Sequence, residues 1–176
     1  MTKRTLLPAE SLSADTQAFF DVLNNEPDLS AVVISAAYID ACLAALLEKF
    51  FVASAVSAKV LDSRSGSLGS LSSRADACYV LGLVSKPLYQ DLLVLAEMRN
   101  QFAHHHLSLS FASPELSESC SRLMYPVMLK NGNTDEPLYT PGQLRNPRDR
   151  FTMTVVLISQ RLLLTALGTQ KREPAV

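Results

Sequence analysis

Glycine and proline are scarce in this sequence, and tryptophan is absent. The chain has 6 Gly and 9 Pro in 176 residues, and most of them lie between apolar segments. Hydrophobic residues make up 48% and charged residues 19%, a composition typical of globular rather than disordered chains. No segment shows a convincing strand pattern of alternating apolar and polar residues. The sequence therefore favours long helices joined by loops.

Cysteine is also sparse, and the residues that would support metal or nucleophilic chemistry do not form a known motif. Cys42, Cys78 and Cys120 include no Cys-x-x-Cys pair, which predicts free, buried thiols in a reducing cytosol. The consecutive histidines at 104–106 would diverge by about 100° per residue on a helix, unlike the usual metal-binding pair. His-Glu-x-x-His and Gly-x-Ser-x-Gly are absent as well. We predict no metal, no cofactor and no enzymatic activity.

No excess of one charge indicates a nucleic-acid partner, since the formal net charge is −1. The distribution is uneven, because residues 5–48 contain acidic side chains but no Lys or Arg, whereas residues 137–172 are mainly basic. Either the two parts face each other within a fold or a dimer, or Arg145, Arg148 and Arg150 form a basic patch for phosphates. Blocks this diffuse are more often solvated faces.

Targeting and membrane segments are not predicted. The N-terminus has two positive charges but no apolar run behind them, so it does not have the pattern of a signal peptide. The most hydrophobic stretch, Ala31 to Leu47, is shorter than the roughly 20 residues that a bilayer requires, and Asp40 lies within it. A buried core helix in a cytoplasmic protein is the better interpretation.

Capping residues divide the chain into predicted helices. Ser13 and Asp28 are expected to cap the first two helices, Ser70 (or Ser72 or Ser73) the one after a Gly/Ser-rich loop, and Ser85 the next. The predicted helices cover residues 13–25, 28–51, 53–62, 71–84, 85–104, 113 to 123 or 124, and 149–167. We predict an all-α fold, a single-domain multi-helix bundle around a central Ala/Leu-rich helix. The domain spans residues 13–168 with a long loop at 131–150, and residues 1–12 and 169–176 are expected to be flexible.

Asp40 is the polar anomaly of the central helix. A buried carboxylate without a partner costs several kcal/mol, so we predict an ion pair with Arg74 or Arg99, which lie in other apolar helices. Asn100 and His104 follow Arg99 closely. We interpret these five residues first as a polar cluster in the helical core. In the alternative interpretation, Arg99, Asn100 and His104 are exposed and act on an RNA phosphodiester, with His as acid or base.

Sequence-specific DNA binding by this chain alone is not predicted. A helix-turn-helix requires a short polar turn followed by a polar or basic recognition helix. The helices here are apolar, and residues 145–150 have the composition of a loop.

Two blocks of sequence resemble the mannitol operon repressor (MtlR) family. The first is Ser67-Leu-Gly-Ser-Leu-Ser-Ser-Arg74, followed by Ala-Asp-Ala-Cys-Tyr-Val-Leu-Gly-Leu-Val84, and the second is Met98-Arg-Asn-Gln-Phe-Ala-His104. Met98 departs mildly from the pattern, in which a β-branched residue is expected. The resemblance covers roughly residues 15–125. It implies an all-helical, cytoplasmic bacterial repressor of sugar-alcohol uptake genes, in a family without a recognisable DNA-binding motif.

We therefore expect a transcriptional regulator that acts as a homodimer through a protein partner from the transcription or sugar-uptake machinery. Arg99-x4-His104 separately resembles the Arg/His motif of HEPN domains, helical dimers that include RNases. The alternative is accordingly a HEPN-like RNA-binding or RNase module that uses Arg99, Asn100 and His104.

Overall fold

A computed structural model describes residues 7–14, 16–104, 109–131, 136–140 and 142–174. The regular secondary structure of this part of the chain is helical, apart from one isolated antiparallel bridge between Lys130 and Pro137, which confirms the all-α prediction. The helices are α1 (Ala9–Ala14), α2 (Thr16–Asn25), α3 (Asp28–Phe50), α4 (Ala55–Val60), α5 (Leu71–Val80), α6 (Lys86–His104), α7 (Pro114–Ser121), α8 (Tyr125–Met128) and α9 (Pro147–Gly168).

Helix α3 is central, as predicted. Its run from Cys42 to Leu47 is buried at every position, which requires neighbours on all sides. Those neighbours are mainly α9, α5 and α6. Alanine-rich faces permit close helix approach, and the apolar area buried here supplies the main driving force for folding.

Helices α3 and α9 are each long and apolar enough to cross a membrane by length and composition alone. In the structure they pack against each other more extensively than any other pair of helices. About half of the most hydrophobic window of each is buried inside the protein. This is the packing of core helices, as we predicted for Ala31–Leu47.

The start of the first helix was predicted wrongly. Helix α1 begins at Ala9, not at Ser13, and the Leu12 N–H donates to the Pro8 carbonyl at 3.2 Å. Ala9 and Leu12 are buried in the core, so this end of the chain is fixed by packing and not by a cap. The segment that we expected to be flexible thus contains a packed helical turn.

Asp28 and the end of α5 also differ from expectation. Asp28 is the first residue of α3 rather than its cap, and Pro27 holds the cap position. Helix α5 stops at Val80, because Gly82 adopts a φ of 71° and the Leu83 N–H reaches back to the Cys78 carbonyl at 2.8 Å. A left-handed glycine with this hydrogen bond is a common helix end.

Other boundaries are closer to those predicted. Ser70 caps α5 through a reciprocal capping box with Ser73. Helix α9 begins at Pro147, with the Asn146 side chain accepting from the Arg148 N–H at 2.9 Å, so the long loop is shorter than expected. The four-residue helix α8 was not predicted.

The three cysteines are free and buried, as predicted. Burial raises the pKa of Cys42, Cys78 and Cys120 to about 12. These thiols therefore stay protonated near neutral pH and serve as small apolar core residues.

Candidate functional site

Arg74 forms the predicted ion pair with Asp40. Its Nη1 donates to Asp40 Oδ2, and its Nη2 donates to the Leu61 carbonyl at 2.9 Å. Only 2% of the Arg74 side chain is exposed. A guanidinium cannot escape burial by losing its proton, so it requires this carboxylate. The pair fixes α5 against α3 and against the end of α4.

The first sequence block has a structural role around this pair. The Leu68 N–H donates to the Val60 carbonyl at 3.0 Å. A Cβ on Gly69 would lie 2.8 Å from the Asp62 carbonyl oxygen, which leaves no space for a side chain. The Ser70 capping box then starts α5 and delivers Arg74 to Asp40. Leu68, Gly69 and Ser70 thus each help to set the backbone path that leads into α5.

Asp62 also stabilises this loop, through hydrogen bonds from its backbone. Its Oδ1 accepts from the Arg64 N–H at 3.0 Å and from the Ser65 N–H at 2.9 Å. Bonds from the Ser65 backbone and hydroxyl are the main reason why the pKa of Asp62 lies below its ordinary value. This loop is a connector that feeds α5, as the sequence indicated.

The second block divides between two faces of α6. Met98 and Phe102 are buried, with exposures of 0% and 1%. Arg99 and Asn100 are exposed, and the Arg99 Nη1 donates to Asn100 Oδ1 at 3.1 Å. The interpretation of Arg99 and Asn100 as part of a polar core is therefore wrong. At 100° per residue, the helix that buries Met98 turns the next two residues away from the core.

The far end of this face is only partly described. His104 ends α6, but its side chain lies outside the described residues, as do His105 and His106. The membership of His104 in a cluster with Arg99 and Asn100 therefore stays a prediction. Glu97, on the same helix, accepts from Arg122 at the C-terminal end of α7 at 2.7 Å and from the Gln101 amide at 3.3 Å. Glu97 thus serves as a tie between α6 and α7.

Asp91 is a structural site that the sequence analysis missed. It is fully buried on α6 and accepts from the Met124 N–H at 2.9 Å and the Tyr125 N–H at 2.7 Å, at the start of α8. Burial raises the pKa of Asp91 to about 6, although the backbone bonds and the charge of Arg150 oppose this shift. No local sequence signal identifies a side chain that caps a helix 33 residues away.

The expected basic patch is largely used within the fold. Arg148 pairs with Asp28 and donates to the Glu26 carbonyl at 2.5 Å. Arg150 donates through Nε to the Leu123 carbonyl at 3.0 Å and through Nη2 at 2.5 Å. Arg145 is exposed. The interpretation of the three arginines as one phosphate-binding surface is therefore wrong, since two of them donate to carbonyls at the C-terminal ends of helices α2 and α7, which carry partial negative charge.

Comparison with known proteins identifies a family that matches this chain. The family model described as mannitol repressor matches residues 17–147, more than half of the chain. The chain belongs to the mannitol repressor family. Both blocks fall inside the matched region, which agrees with the resemblance seen in the sequence. A transcriptional regulator of the mannitol repressor type is thereby supported, and the HEPN-like alternative stays untested.

Solved structures give a fold match as well. A chain in the X-ray structure of the MtlR–HPr complex from Escherichia coli aligns with a TM-score of 0.65 and 17% identity, over 85% of this chain and 98% of that chain. At this identity the likeness establishes the fold. No curated protein sequence matches the chain.

Within the mannitol repressor family, the described geometry separates supporting residues from candidate functional ones. Arg74, Asp40 and Asp91 are buried or half-buried and hold helices together. Arg99 and Asn100 belong to a family block, yet they face solvent and bond to each other. Exposed polar residues in an otherwise structural block are the best candidates for contact with another molecule.

Proposed function

We propose that this protein is a cytoplasmic repressor of the mannitol type that acts through a protein partner and not as an enzyme or as an autonomous DNA-binding protein. Family membership carries the regulatory role. Partner dependence is supported by the arginines at the start of α9, where Arg148 and Arg150 bond to backbone carbonyls and Asp28. Guanidinium groups that are satisfied internally contribute little to phosphate contact.

HPr is the first partner to test, because the solved E. coli relative is a complex with HPr. We assign the contact to the exposed end of α6, with Arg99 and Asn100 as the contact residues. Arginine is enriched among the residues that dominate binding energy at interfaces, and its planar guanidinium presents five donors. The Arg99–Asn100 hydrogen bond favours one relative orientation of the two side chains before binding.

The test is calorimetric titration of the full chain with purified HPr. We expect wild-type binding and a loss of about tenfold or more for Arg99→Ala, since removing a charged hydrogen bond costs about 1.5–3 kcal/mol. Arg64→Ala is the matched control, because Arg64 is an exposed arginine in the α4–α5 loop. Equal affinities for the two variants would contradict the assignment of Arg99. A wild-type protein that binds operator DNA alone at physiological salt would contradict partner dependence.

One observation keeps the RNA alternative in view, namely the exposure of Arg99 and Asn100 on α6. Buried, fully paired side chains would have removed it. The deciding measurement is RNA degradation by wild type and by His104→Ala. Equal rates for the two proteins would remove the RNase hypothesis.

The expected homodimer also stays a proposal. It is supported by exposed apolar residues on the first half of α3, where Leu29, Val33 and Ile34 are each more than a third exposed. Sedimentation equilibrium of wild type and Val33→Asp measures the oligomeric state directly, and we expect a dimer for wild type and a monomer for the variant. A monomeric wild type at micromolar concentration would contradict it.

A further inference from the structure

A surface hollow lies between the α5–α6 turn, α8 and α9, away from the exposed residues Arg99 and Asn100. Its volume is about 530 Å³, within the usual range for ligand sites. The lining residues are Gly82, Leu83, Val84, Ser85, Leu88, Tyr125, Leu129 and Arg161. Three separate segments of the chain thus meet around one space.

The base of the hollow is apolar and firmly packed. Leu88 and Val84 are 2% and 8% exposed and belong to the main core. Leu83 and Leu129 are half-buried beside them. Walls that are already fixed by the core do not have to be ordered when a ligand binds, which lowers the entropic cost.

The polar groups of the hollow favour one sign of charge. Arg161 is the charged member of the lining set, and it is exposed. Ser85 and Tyr125 add hydroxyl groups that can donate to an anion. Asp91 lies behind Tyr125, but it is fully buried and accepts from backbone N–H groups. A ligand in the hollow therefore meets a cation and hydroxyls, without a carboxylate from the lining set.

Two exposed apolar side chains lie close in sequence to residues that line the hollow. Val80, at the end of α5, is 83% exposed. Leu164 is 66% exposed and lies three residues after Arg161 on α9, on the same side of that helix. Large apolar side chains are costly to leave in water, so this part of the surface favours contact with an apolar group.

We propose that this hollow binds a small organic anion with an apolar body, such as an aryl or alkyl carboxylate or sulfonate. The anionic group contacts Arg161 and the phenol of Tyr125, and the apolar body packs against Leu83, Leu88 and Leu129. The site is separate from the exposed end of α6 that we assign to the protein partner. Binding at this site would let the repressor respond to a small molecule as well as to its protein partner.

The test uses two fluorescent probes of similar shape. The anionic probe is 8-anilinonaphthalene-1-sulfonate, and N-phenyl-1-naphthylamine is its neutral analogue. Both are titrated into the full chain, wild type and Arg161→Gln, with Arg145→Gln as the control for loss of an exposed arginine. Circular dichroism and cooperative thermal unfolding establish that each variant is folded, since the sulfonate probe also binds loosely packed states.

We expect one sulfonate probe per chain and a dissociation constant about tenfold higher for Arg161→Gln, with Arg145→Gln unchanged. The neutral probe should bind wild type and Arg161→Gln equally. Leu129→Gln should weaken both probes, because it removes apolar contact. Equal sulfonate affinity in wild type and Arg161→Gln, or no binding of either probe, would overturn the proposal. Partner binding is measured separately, so failure here leaves the proposed function standing.

Discussion

Single residues in this protein hold distant segments together, and Asp91 is the clearest case. Its carboxylate lies on α6 and accepts three contacts from the backbone N–H groups of Met124 and Tyr125. These groups begin α8, a helix too short to be stable on its own. Asp91 therefore helps to position α8, together with the packing of α8 against α9.

Asp91 should also make stability depend on pH. Burial raises its pKa from 3.8 to about 6, so between these values the folded protein retains a proton that the unfolded chain releases. This contribution is complete below about pH 4 and is lost as the pH rises through 6. Relative to Asp91→Asn, wild type should lose about 2–3 kcal/mol of unfolding free energy between pH 4 and pH 7.

Urea denaturation of both proteins at several pH values measures this difference. A difference that grows with pH would mean that the backbone N–H bonds, which favour the carboxylate, outweigh burial. A flat difference would mean that the two effects cancel.

At the scale of elements, the α4–α5 loop is shaped by close backbone approach. An added Cβ on Gly66 would lie 2.2 Å from the Val60 carbonyl oxygen and 2.7 Å from that of Asp62. Neither atom can move without disturbing α4 or the loop. The segment before Arg74 is thus rigid, and this rigidity positions α5 against α3.

Gly66→Ala should destabilise the protein by about 2–3 kcal/mol, because the loop must open to admit the methyl group. Gly168→Ala is the matched control, since an added Cβ there meets no atom within 4 Å. Gly168 is the last residue of α9, and alanine is the better helix former by about 0.5–1 kcal/mol. Thermal unfolding measures the melting temperatures of both variants, and we expect a clear decrease for Gly66→Ala only. An unchanged melting temperature for Gly66→Ala would show that the loop is not held by close contact.

At the scale of the whole molecule, Asp28 joins segments from three parts of the chain. It begins α3, pairs with Arg148 of α9, and accepts from the Phe111 N–H at 2.9 Å. Arg148 also lies over the Phe111 ring at 5.7 Å. Acidic and basic parts of the sequence do face each other here, as one of the two interpretations of the uneven charge proposed.

Arg148→Met should destabilise the fold by about 3 kcal/mol, because it leaves the partly buried Asp28 carboxylate without its cation and the Leu23 and Glu26 carbonyls without their donor. Lys49→Met is the comparison, since it breaks the exposed Lys49–Glu10 pair at 2.7 Å and should cost less than about 1 kcal/mol. Urea unfolding measures both. Similar losses for the two variants would contradict the special role of this junction.

The sequence predicts the helices and the buried ion pair well, for physical reasons. Asp40 lies in an apolar helix and requires a cation, and Ser70 follows a Gly/Ser loop and precedes a helix, so both have local signals. Arg99 and Asn100 were predicted wrongly to be buried. The periodicity of the sequence reveals that this segment is a helix, but it does not show which polar side of the helix other helices cover. The basic patch was predicted wrongly because Arg150 donates to a backbone carbonyl and Arg148 to backbone carbonyls and to Asp28, which lies 120 residues away, and neither kind of partner has a local sequence signal.

The pairing of α3 with α9 has a consequence for synthesis. The family match ends at residue 147, where α9 begins, yet α9 is the main partner of α3 in the core. Contacts between segments so far apart in sequence slow folding. On the ribosome, α5 and α6 become available to α3 first, but the side of α3 that contacts α9 has no native cover until α9 has been synthesised. The newborn chain exposes that apolar side of α3 until α9 emerges, and a chaperone that shields it would raise the yield of folded protein.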